Sequence, residues 1–297
     1  MSDVLWLGLT RDGLDQQLNL RARWPSHQAA LDHWAADSAT AREAIADKQV
    51  LQYGTHRLQT LDLFRPSAGT RPYPLLVFIH GGYWQSLDKG DFSYLAPPFL
   101  SAGIAFASLN YRLAPEASLS EICNDVTAAL DHLSSRARDL ACHDDNFVLV
   151  GHSAGGHLVM QEMLRERCSL ARGAIERPRT GAVAAISGVY DLEPLRRSYQ
   201  QMILSIDARE VAELSPLRNA PASAPPVLVA VGDQETPEFL RQQNALVALW
   251  QALDLPIRGQ KVDGEDHFTV VDLLAQDDHV ITRWLIEACL ANSRREE

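Results

Sequence analysis

The chain has 297 residues, of which 46% are hydrophobic, so it is long enough to bury one large core. We predict a single domain over residues 1–297. The 38 acidic and 27 basic residues give a formal net charge of −11, which repels nucleic-acid phosphates and anionic lipid surfaces. We therefore expect neither nucleic acid nor membrane partners. A small-molecule ligand is expected instead, and a homodimer is a possible assembly.

The cysteines and the N-terminus bear on the cellular compartment. Cys123, Cys142, Cys168 and Cys289 lack the C-x-x-C spacing of a zinc or redox site, which indicates free thiols. The apolar run at residues 4–9 has no preceding basic region, and no stretch approaches the roughly twenty apolar residues of a membrane span. We expect a cytoplasmic, reduced protein.

The first 64 residues predict a helical segment followed by a hairpin. Residues 28–46 are rich in Ala and place Ala30, Leu31 and Trp34 at helical spacing, so residues 1–48 are expected to form a helical cap segment. Apolar and polar residues then alternate over residues 50–53 and 57–64, which is typical of an antiparallel hairpin at a sheet edge.

A different pattern begins at residue 75, where short apolar runs alternate with segments of helical period. The runs cover residues 75–79, 104–109, 147–150, 182–186 and 227–231, and they suit strands buried on both faces. The alternation predicts an α/β fold with a mostly parallel central sheet flanked by helices, whose ligand site lies at the carboxyl ends of the strands. Short helical pieces over residues 190–216 are expected to form a cap insertion.

The motif Gly151-His152-Ser153-Ala154-Gly155 follows one of these runs and precedes a helical segment. This is G-x-S-x-G in the strand-turn-helix setting of a nucleophile elbow. The small flanking residues allow a sharp turn that exposes the serine hydroxyl beside a helix N-terminus, where the dipole favours negative charge. Ser153 is therefore the predicted nucleophile.

A second motif, His80-Gly81-Gly82-Tyr83-Trp84, follows the run at residues 75–79. Backbone N–H groups of glycines can approach a substrate carbonyl oxygen without interference from side chains. We expect the amides of Gly81 or Gly82, or both, to form an oxyanion hole with the amide of Ala154.

The general base should follow the last strands, where two histidines remain as candidates. His267 lies in a loop after the apparent strand at residues 256–262, whereas His279 begins an amphipathic helix and has the setting of a surface residue. His267 is the predicted base. The acid is either Asp233 or Glu235, and the usual spacing after the strand-ending Gly232 favours Glu235. Together these motifs predict the α/β-hydrolase fold.

A metal-dependent amidase is a weaker alternative, because His80, His152 and His157 lie near the predicted site. No H-x-x-x-H or H-E-x-x-H spacing is present, and His152 and His157 are five residues apart, which is a poor match to one helix face. We expect neither a metal nor a cofactor.

Seven segments carry a resemblance to the arylformamidase (kynurenine formamidase) branch of the α/β-hydrolases, which extends over residues 15–275. They are residues 80–84, 91–98, 110–115, 151–157, 187–195, 236–239 and 266–268. The Tyr83-Trp84 pair is the most discriminating piece. Where members of this branch often have Tyr-Asn, the chain has Leu18-Asn19, which removes a hydroxyl if that segment caps the pocket.

The resemblance implies a serine hydrolase that cleaves an aryl formamide, N-formyl-L-kynurenine, to L-kynurenine and formate through a formyl-enzyme intermediate. Its small-molecule substrate would have an aromatic leaving group, which Tyr83, Trp84 and Tyr190 could bind. A carboxylesterase or amidase acting on short acyl esters or other small amides would use the same catalytic residues. A non-catalytic binding module of the same fold is a minor alternative.

Overall fold

The structure of the protein is a computed structural model that describes residues 4–69, 71–175 and 179–293. Within these ranges eight strands form one sheet in the spatial order β1-β2-β4-β3-β5-β6-β7-β8. The strands are β1 (Lys48–Gln52), β2 (Thr60–Phe64), β3 (Leu75–Ile79), β4 (Ala105–Leu109), β5 (Phe147–His152), β6 (Thr180–Ile186), β7 (Val227–Gly232) and β8 (Ile257–Val262). Strand β2 is antiparallel to β1 and β4, and all other neighbours are parallel. This is the predicted α/β-hydrolase sheet, with its antiparallel hairpin at one edge.

The apolar runs form the centre of the sheet because helices cover both of its faces. All residues of β3, β4 and β5 are buried. Strand β5 continues two residues beyond the predicted end at Val150, so that Gly151 and His152 still belong to the strand. The turn into the next helix therefore begins directly at Ser153.

The helices follow the periodicity of the sequence. They are α1 (Arg11–Leu18), α2 (Leu20–Arg23), α3 (His27–Ala44), α4 (Ala96–Ser101), α5 (Leu119–Ser135), α6 (Ala137–Leu140), α7 (Ala154–Ala171), α8 (Glu193–Arg197), α9 (Gln201–Leu204), α10 (Ala208–Leu214), α11 (Pro237–Ala252) and α12 (Val280–Ser293), with 3₁₀ turns at Lys89–Leu95, Pro216–Arg218 and Val270–Ala275. In α5, a capping box between Ser118 and Glu121 starts the helix, and Ile122, Val126 and Leu130 form its buried face. Across the described ranges, no helix is long and apolar enough to cross a membrane.

Helix α3 is held beside the carboxyl ends of the parallel strands by polar and aromatic contacts. Asp62 of β2 is buried, accepts a hydrogen bond from Lys89 Nζ at 2.7 Å and pairs with Arg42 of α3. Trp34 of α3 packs on Phe92, with 5.2 Å between the ring centroids. Helix α3 of the expected N-terminal cap segment is thus packed against β2 and the 3₁₀ turn at Lys89–Leu95. The predicted cap insertion corresponds to α8–α10, which lie between β6 and β7.

Candidate active site

Ser153 occupies a sharp turn between β5 and α7. Its backbone has φ 56° and ψ −117°, a strained conformation for a residue with a side chain. The two glycines of the motif make this turn possible. A Cβ on Gly155 would lie 1.9 Å from the Ile79 carbonyl oxygen, and one on Gly151 would lie 2.1 Å from the Gly155 carbonyl oxygen. Only glycine fits at these two positions, which is the physical reason for the G-x-S-x-G pattern.

His267 and Glu235 complete a chain of hydrogen bonds that begins at Ser153. His267 Nε2 lies 3.0 Å from Ser153 Oγ, and His267 Nδ1 lies 3.0 Å from each carboxylate oxygen of Glu235. Ser153, His267 and Glu235 are 2%, 3% and 4% exposed, so water is largely kept from these bonds. The arrangement has the geometry in which an imidazole removes a hydroxyl proton while a carboxylate holds the ring.

The structure separates the two candidate acids. Asp233 accepts the N–H group of Gly264 at 2.8 Å and so stabilises the turn after β8, whereas Glu235 reaches the imidazole. The loops that carry Glu235 and His267 pack tightly, because a Cβ on Gly232 would lie 2.1 Å from the Glu265 carbonyl oxygen. His279 lies away from the site at the start of α12, where its Nδ1 accepts the N–H group of Ile281 at 3.3 Å.

The Gly81-Gly82 segment lies directly against Ser153. A Cβ on Gly81 would be 2.9 Å from Ser153 Cβ, and Gly82 has φ +99° with the Ser86 carbonyl oxygen 2.3 Å from its would-be Cβ. Ala154 is the first residue of α7, and N–H groups in a first helical turn have no intrahelical partner. Gly81 and Ala154 therefore lie directly beside Ser153, and Gly82 follows Gly81 in the same turn; the role of their amides as an oxyanion hole stays a prediction.

Three side chains whose role the sequence did not indicate support this arrangement. His80 Nδ1 donates to the Gly81 carbonyl oxygen at 2.9 Å, and Tyr111 donates to the His80 carbonyl oxygen at 2.9 Å. His152 Nε2 donates to the carbonyl oxygen of His267 at 2.8 Å. Burial, and secondarily the nearby His267, lowers the pKa of His152 well below its usual value, so this ring stays neutral. These contacts fix the backbone on both sides of the reacting hydroxyl.

A cavity of about 430 Å³ opens above Ser153 and His267. Its walls come from the N-terminal segment, the loop after Gly81, the cap insertion and the loop that carries His267. The residues lining it are Asn19, Leu20, Arg21, Leu31, Trp34, Gly82, Tyr83, Gln85, Ser86, Leu87, His152, Ser153, Tyr199, Gln200, His267 and Phe268. The Leu18-Asn19 segment therefore lies at the cavity, through Asn19. The hydroxyl groups beside it belong to Tyr83 and Tyr199, which both donate to the Leu18 carbonyl oxygen, at 2.8 and 3.3 Å.

Of the three predicted substrate-binding aromatics, only Tyr83 lines the cavity, so the prediction for Trp84 and Tyr190 was wrong. Trp84 has φ 57° and is fully buried, with its ring 5.0 Å from that of His157. Tyr190 is also fully buried, against Gly188 and with its hydroxyl 3.4 Å from the Ala185 carbonyl oxygen. Both rings belong to the core because the backbone turns them inward.

The aromatic wall is instead completed by Trp34, Phe268 and Tyr199. Trp34 donates its indole N–H to Asp272 at 2.8 Å, and Tyr94 donates to the same carboxylate oxygen at 2.6 Å. Burial raises the pKa of Asp272, and the two hydrogen bonds act in the opposite direction. Asp272 thus ties α3 to the segment that follows His267. Over residues 4–69, 71–175 and 179–293, no group of three or more His, Cys, Asp or Glu side chains is arranged to hold a metal ion.

The sheet and the placement of these residues define the class of protein as an α/β-hydrolase. The sequence pattern of the BD-FAE family matches residues 61–248, and the chain belongs to that family. A kynurenine formamidase of Danio rerio is 27% identical over 97% of this chain and 98% of its own length. One of Drosophila melanogaster is 25% identical over 86% of this chain and 88% of its own. The protein is thus a hydrolase of the arylformamidase-like branch.

Solved structures agree with this assignment. A thioesterase candidate from Silicibacter superimposes with a TM-score of 0.77 and 32% identity, over 91% of this chain and 97% of its own. Esterase B of Lactobacillus rhamnosis superimposes with a TM-score of 0.70 over 94% of this chain and 99% of its own. At 20% identity, the second similarity concerns the fold alone.

Proposed function

We propose that the protein is a serine hydrolase that cleaves an aryl formamide of the N-formylkynurenine type to the arylamine and formate. The observation that carries the proposal is the hydrogen-bonded series Glu235–His267–Ser153 at the base of an aromatic-walled cavity. The kynurenine formamidases that resemble the chain over nearly its whole length support the choice of a formamide.

In the first half of the reaction, His267 Nε2 takes the Ser153 proton as the hydroxyl oxygen attacks the formyl carbon. The amides of Gly81, Gly82 and Ala154 hold the resulting oxyanion. The carbon–nitrogen bond then breaks, and His267 returns its proton to the leaving aniline nitrogen. Ser153 is left as a formyl ester. Glu235 stabilises the imidazolium that exists between these two proton transfers.

In the second half, His267 deprotonates a water molecule that attacks the formyl ester. The oxyanion forms at the same amides, and its collapse releases formate while the proton returns to Ser153. The close approach of Gly81 to Ser153, where even a Cβ would lie 2.9 Å from Ser153 Cβ, supports a small acyl group such as formyl. The aromatic wall of Trp34, Tyr83, Tyr199 and Phe268 suits a flat leaving group.

A second candidate is a carboxylesterase that acts on short acyl esters with the same residues. The similarity to the thioesterase candidate, at 32% identity over 91% of the chain, supports this second candidate, because a thioesterase also cleaves an ester-type bond. The two activities differ in the leaving atom and not in the catalytic groups.

The test compares hydrolysis of N-formyl-L-kynurenine and of a short p-nitrophenyl ester by wild-type protein and by Ser153→Ala. We expect kcat/KM for the formamide of about 10⁴ M⁻¹s⁻¹ or more, and a loss of at least about 10⁴-fold for both substrates in Ser153→Ala. Ester turnover without formamide turnover selects the second candidate. Activity that survives in Ser153→Ala, with an unchanged thermal unfolding curve, contradicts both.

A further inference from the structure

The cavity wall has a charge that contrasts with the rest of the molecule. The whole chain carries a formal charge of −11. Among the described residues that line the cavity, however, there is no Asp or Glu, and Arg21 is the one permanently charged side chain. An anionic group that entered this cavity would therefore meet a guanidinium and no carboxylate.

Arg21, an exposed residue at the cavity mouth, is connected to the Ser153 region by two hydrogen bonds through Ser86. It lies on α2, and its Nη2 donates to Ser86 Oγ at 3.2 Å. The Ser86 hydroxyl in turn donates to the Gly82 carbonyl oxygen at 3.3 Å, and Gly82 follows the residue that packs on Ser153. One hydroxyl thus connects the guanidinium to the backbone segment that carries the predicted oxyanion donors.

The guanidinium also has free donor capacity. Within the part of the chain that the structure describes, Arg21 forms no ion pair, and the bond to Ser86 uses only one of its five N–H donors. A planar guanidinium with adjacent free N–H groups matches the two oxygens of a carboxylate. Arg23, on the same short helix, points its guanidinium over the ring of Trp24, at 5.9 Å from the centroid, and does not line the cavity.

We propose that Arg21 is a specificity-determining residue that makes the enzyme prefer leaving groups carrying a carboxylate. This inference rests on the proposed function in so far as it takes the cavity above Ser153 as the substrate site. A formyl or acetyl group needs little of the 430 Å³, so the leaving group fills the remainder and extends toward Arg21. The substrate class is then an aryl formamide or aryl ester whose leaving group carries a carboxylate. An aromatic amino acid derivative is one such leaving group.

The experiment uses two matched pairs of substrates. The formamide pair is N-formyl-L-kynurenine and its carboxamide, and the ester pair is 4-acetoxybenzoate and its methyl ester. For each pair, the quantity measured is the ratio of kcat/KM for the carboxylate member to that for the neutral member. The ratio is determined for wild-type protein, Arg21→Gln, Arg21→Lys and the matched control Arg23→Gln, at low and high salt.

We expect the ratio to fall about tenfold in Arg21→Gln, mainly through a higher KM for the carboxylate member, because a hydrogen bond to a charged group is lost. Arg21→Lys should restore part of the ratio, since it keeps the charge but not the bidentate geometry. Salt should lower the wild-type ratio and have less effect on that of Arg21→Gln. Arg23→Gln should keep the wild-type ratio.

The outcomes separate this inference from the proposed function. If wild-type protein hydrolyses the esters with an Arg21-dependent preference but neither formamide, the formamidase proposal fails and the role of Arg21 stands. If the formamides are hydrolysed but the ratio changes by less than about twofold in Arg21→Gln, the role of Arg21 is refuted. An equal loss in Arg21→Gln and Arg23→Gln also refutes it, because that result reports damage to α2.

Discussion

The turn that carries Ser153 takes its shape from five consecutive residues, 151–155, whereas the cavity wall opposite combines side chains from distant parts of the chain. In the turn, a single added methyl group would collide with the backbone of β3. In the wall, Trp34 is positioned by Asp272, and Tyr199 by the carbonyl oxygen of Leu18. The contrast indicates that local backbone geometry determines how the Ser153 hydroxyl is presented, while long-range packing builds the cavity wall opposite it.

The largest effect is expected at Glu235, which reaches the turn through His267. Glu235→Gln should lower kcat by about 10³-fold to 10⁴-fold, because an amide neither stabilises the imidazolium nor holds the required tautomer. Asp233→Asn should stay within about threefold of wild type, since its oxygen can still accept the Gly264 N–H group. Steady-state kinetics on one substrate measure both. A larger loss in Asp233→Asn contradicts the assignment of Glu235 as the acid.

The backbone of the turn is tested by Gly155→Ala. The new Cβ would lie 1.9 Å from the Ile79 carbonyl oxygen, so the start of α7 and the end of β3 must move apart. We expect a loss of about 3 kcal/mol or more in the free energy of unfolding. The control is Gly13→Ala in α1, where the nearest atom is 3.5 Å away and a gain of up to about 1 kcal/mol is expected. Urea midpoints that do not differ between the two variants contradict the steric argument.

His157 links α7, which begins at the turn, to the cap insertion, because its Nε2 donates to the Leu214 carbonyl oxygen at 2.7 Å. Burial lowers the pKa of His157 from 6.5 to about 4. Below pH 6.5 the unfolded chain therefore binds a proton that the folded protein excludes, and stability falls as the pH drops from 6.5 toward 4. Between pH 7 and 5 this should cost about 2 kcal/mol. In His157→Gln the difference between urea unfolding at the two pH values should shrink by that amount, and an unchanged difference rules out His157 as the source.

The smallest effect is expected in the wall. Trp34→Leu removes an aromatic face and a hydrogen bond to Asp272 and should lower kcat/KM for an aryl formamide about tenfold, mainly by raising KM. Tyr94→Phe is the control, because Tyr94 also donates to Asp272 but does not line the cavity. If Trp34→Leu lowers kcat with no change in KM, the wall contributes to the chemistry and the proposed division is wrong.

The same contrast explains which features could be predicted from the sequence. The structure has the expected strand-turn-helix around Ser153 and places His267 beside it, because glycine spacing and chain order reflect backbone requirements; their catalytic roles stay predictions. The choice between Asp233 and Glu235 depended on how the loop that carries His267 packs against Gly232. This packing is a long-range contact that the local sequence pattern does not indicate. The geometry selects Glu235, the favoured alternative.

The walls could not be predicted in this way. Trp84 and Tyr190 are aromatic and close in sequence to the motifs, yet positive φ at Tyr83 and Trp84 and packing against Gly188 turn their rings into the core. Trp34 and Phe268 belong to segments far apart in the sequence, and no local pattern marks either as part of a cavity. Among the described wall residues, Tyr83 was predicted from its motif, and Leu18-Asn19 carried a signal through its departure from the pattern of similar proteins.

The separation of the catalytic side chains along the chain also has a consequence for protein synthesis. Ser153 and His267 are 114 residues apart, and β7 and β8 lie between them in the chain. While a ribosome is still translating the region between them, the serine hydroxyl of the nascent chain has no base and remains an ordinary alcohol. Under the proposed function, the nascent chain therefore gains the base of its nucleophile only after residue 267 has been synthesised.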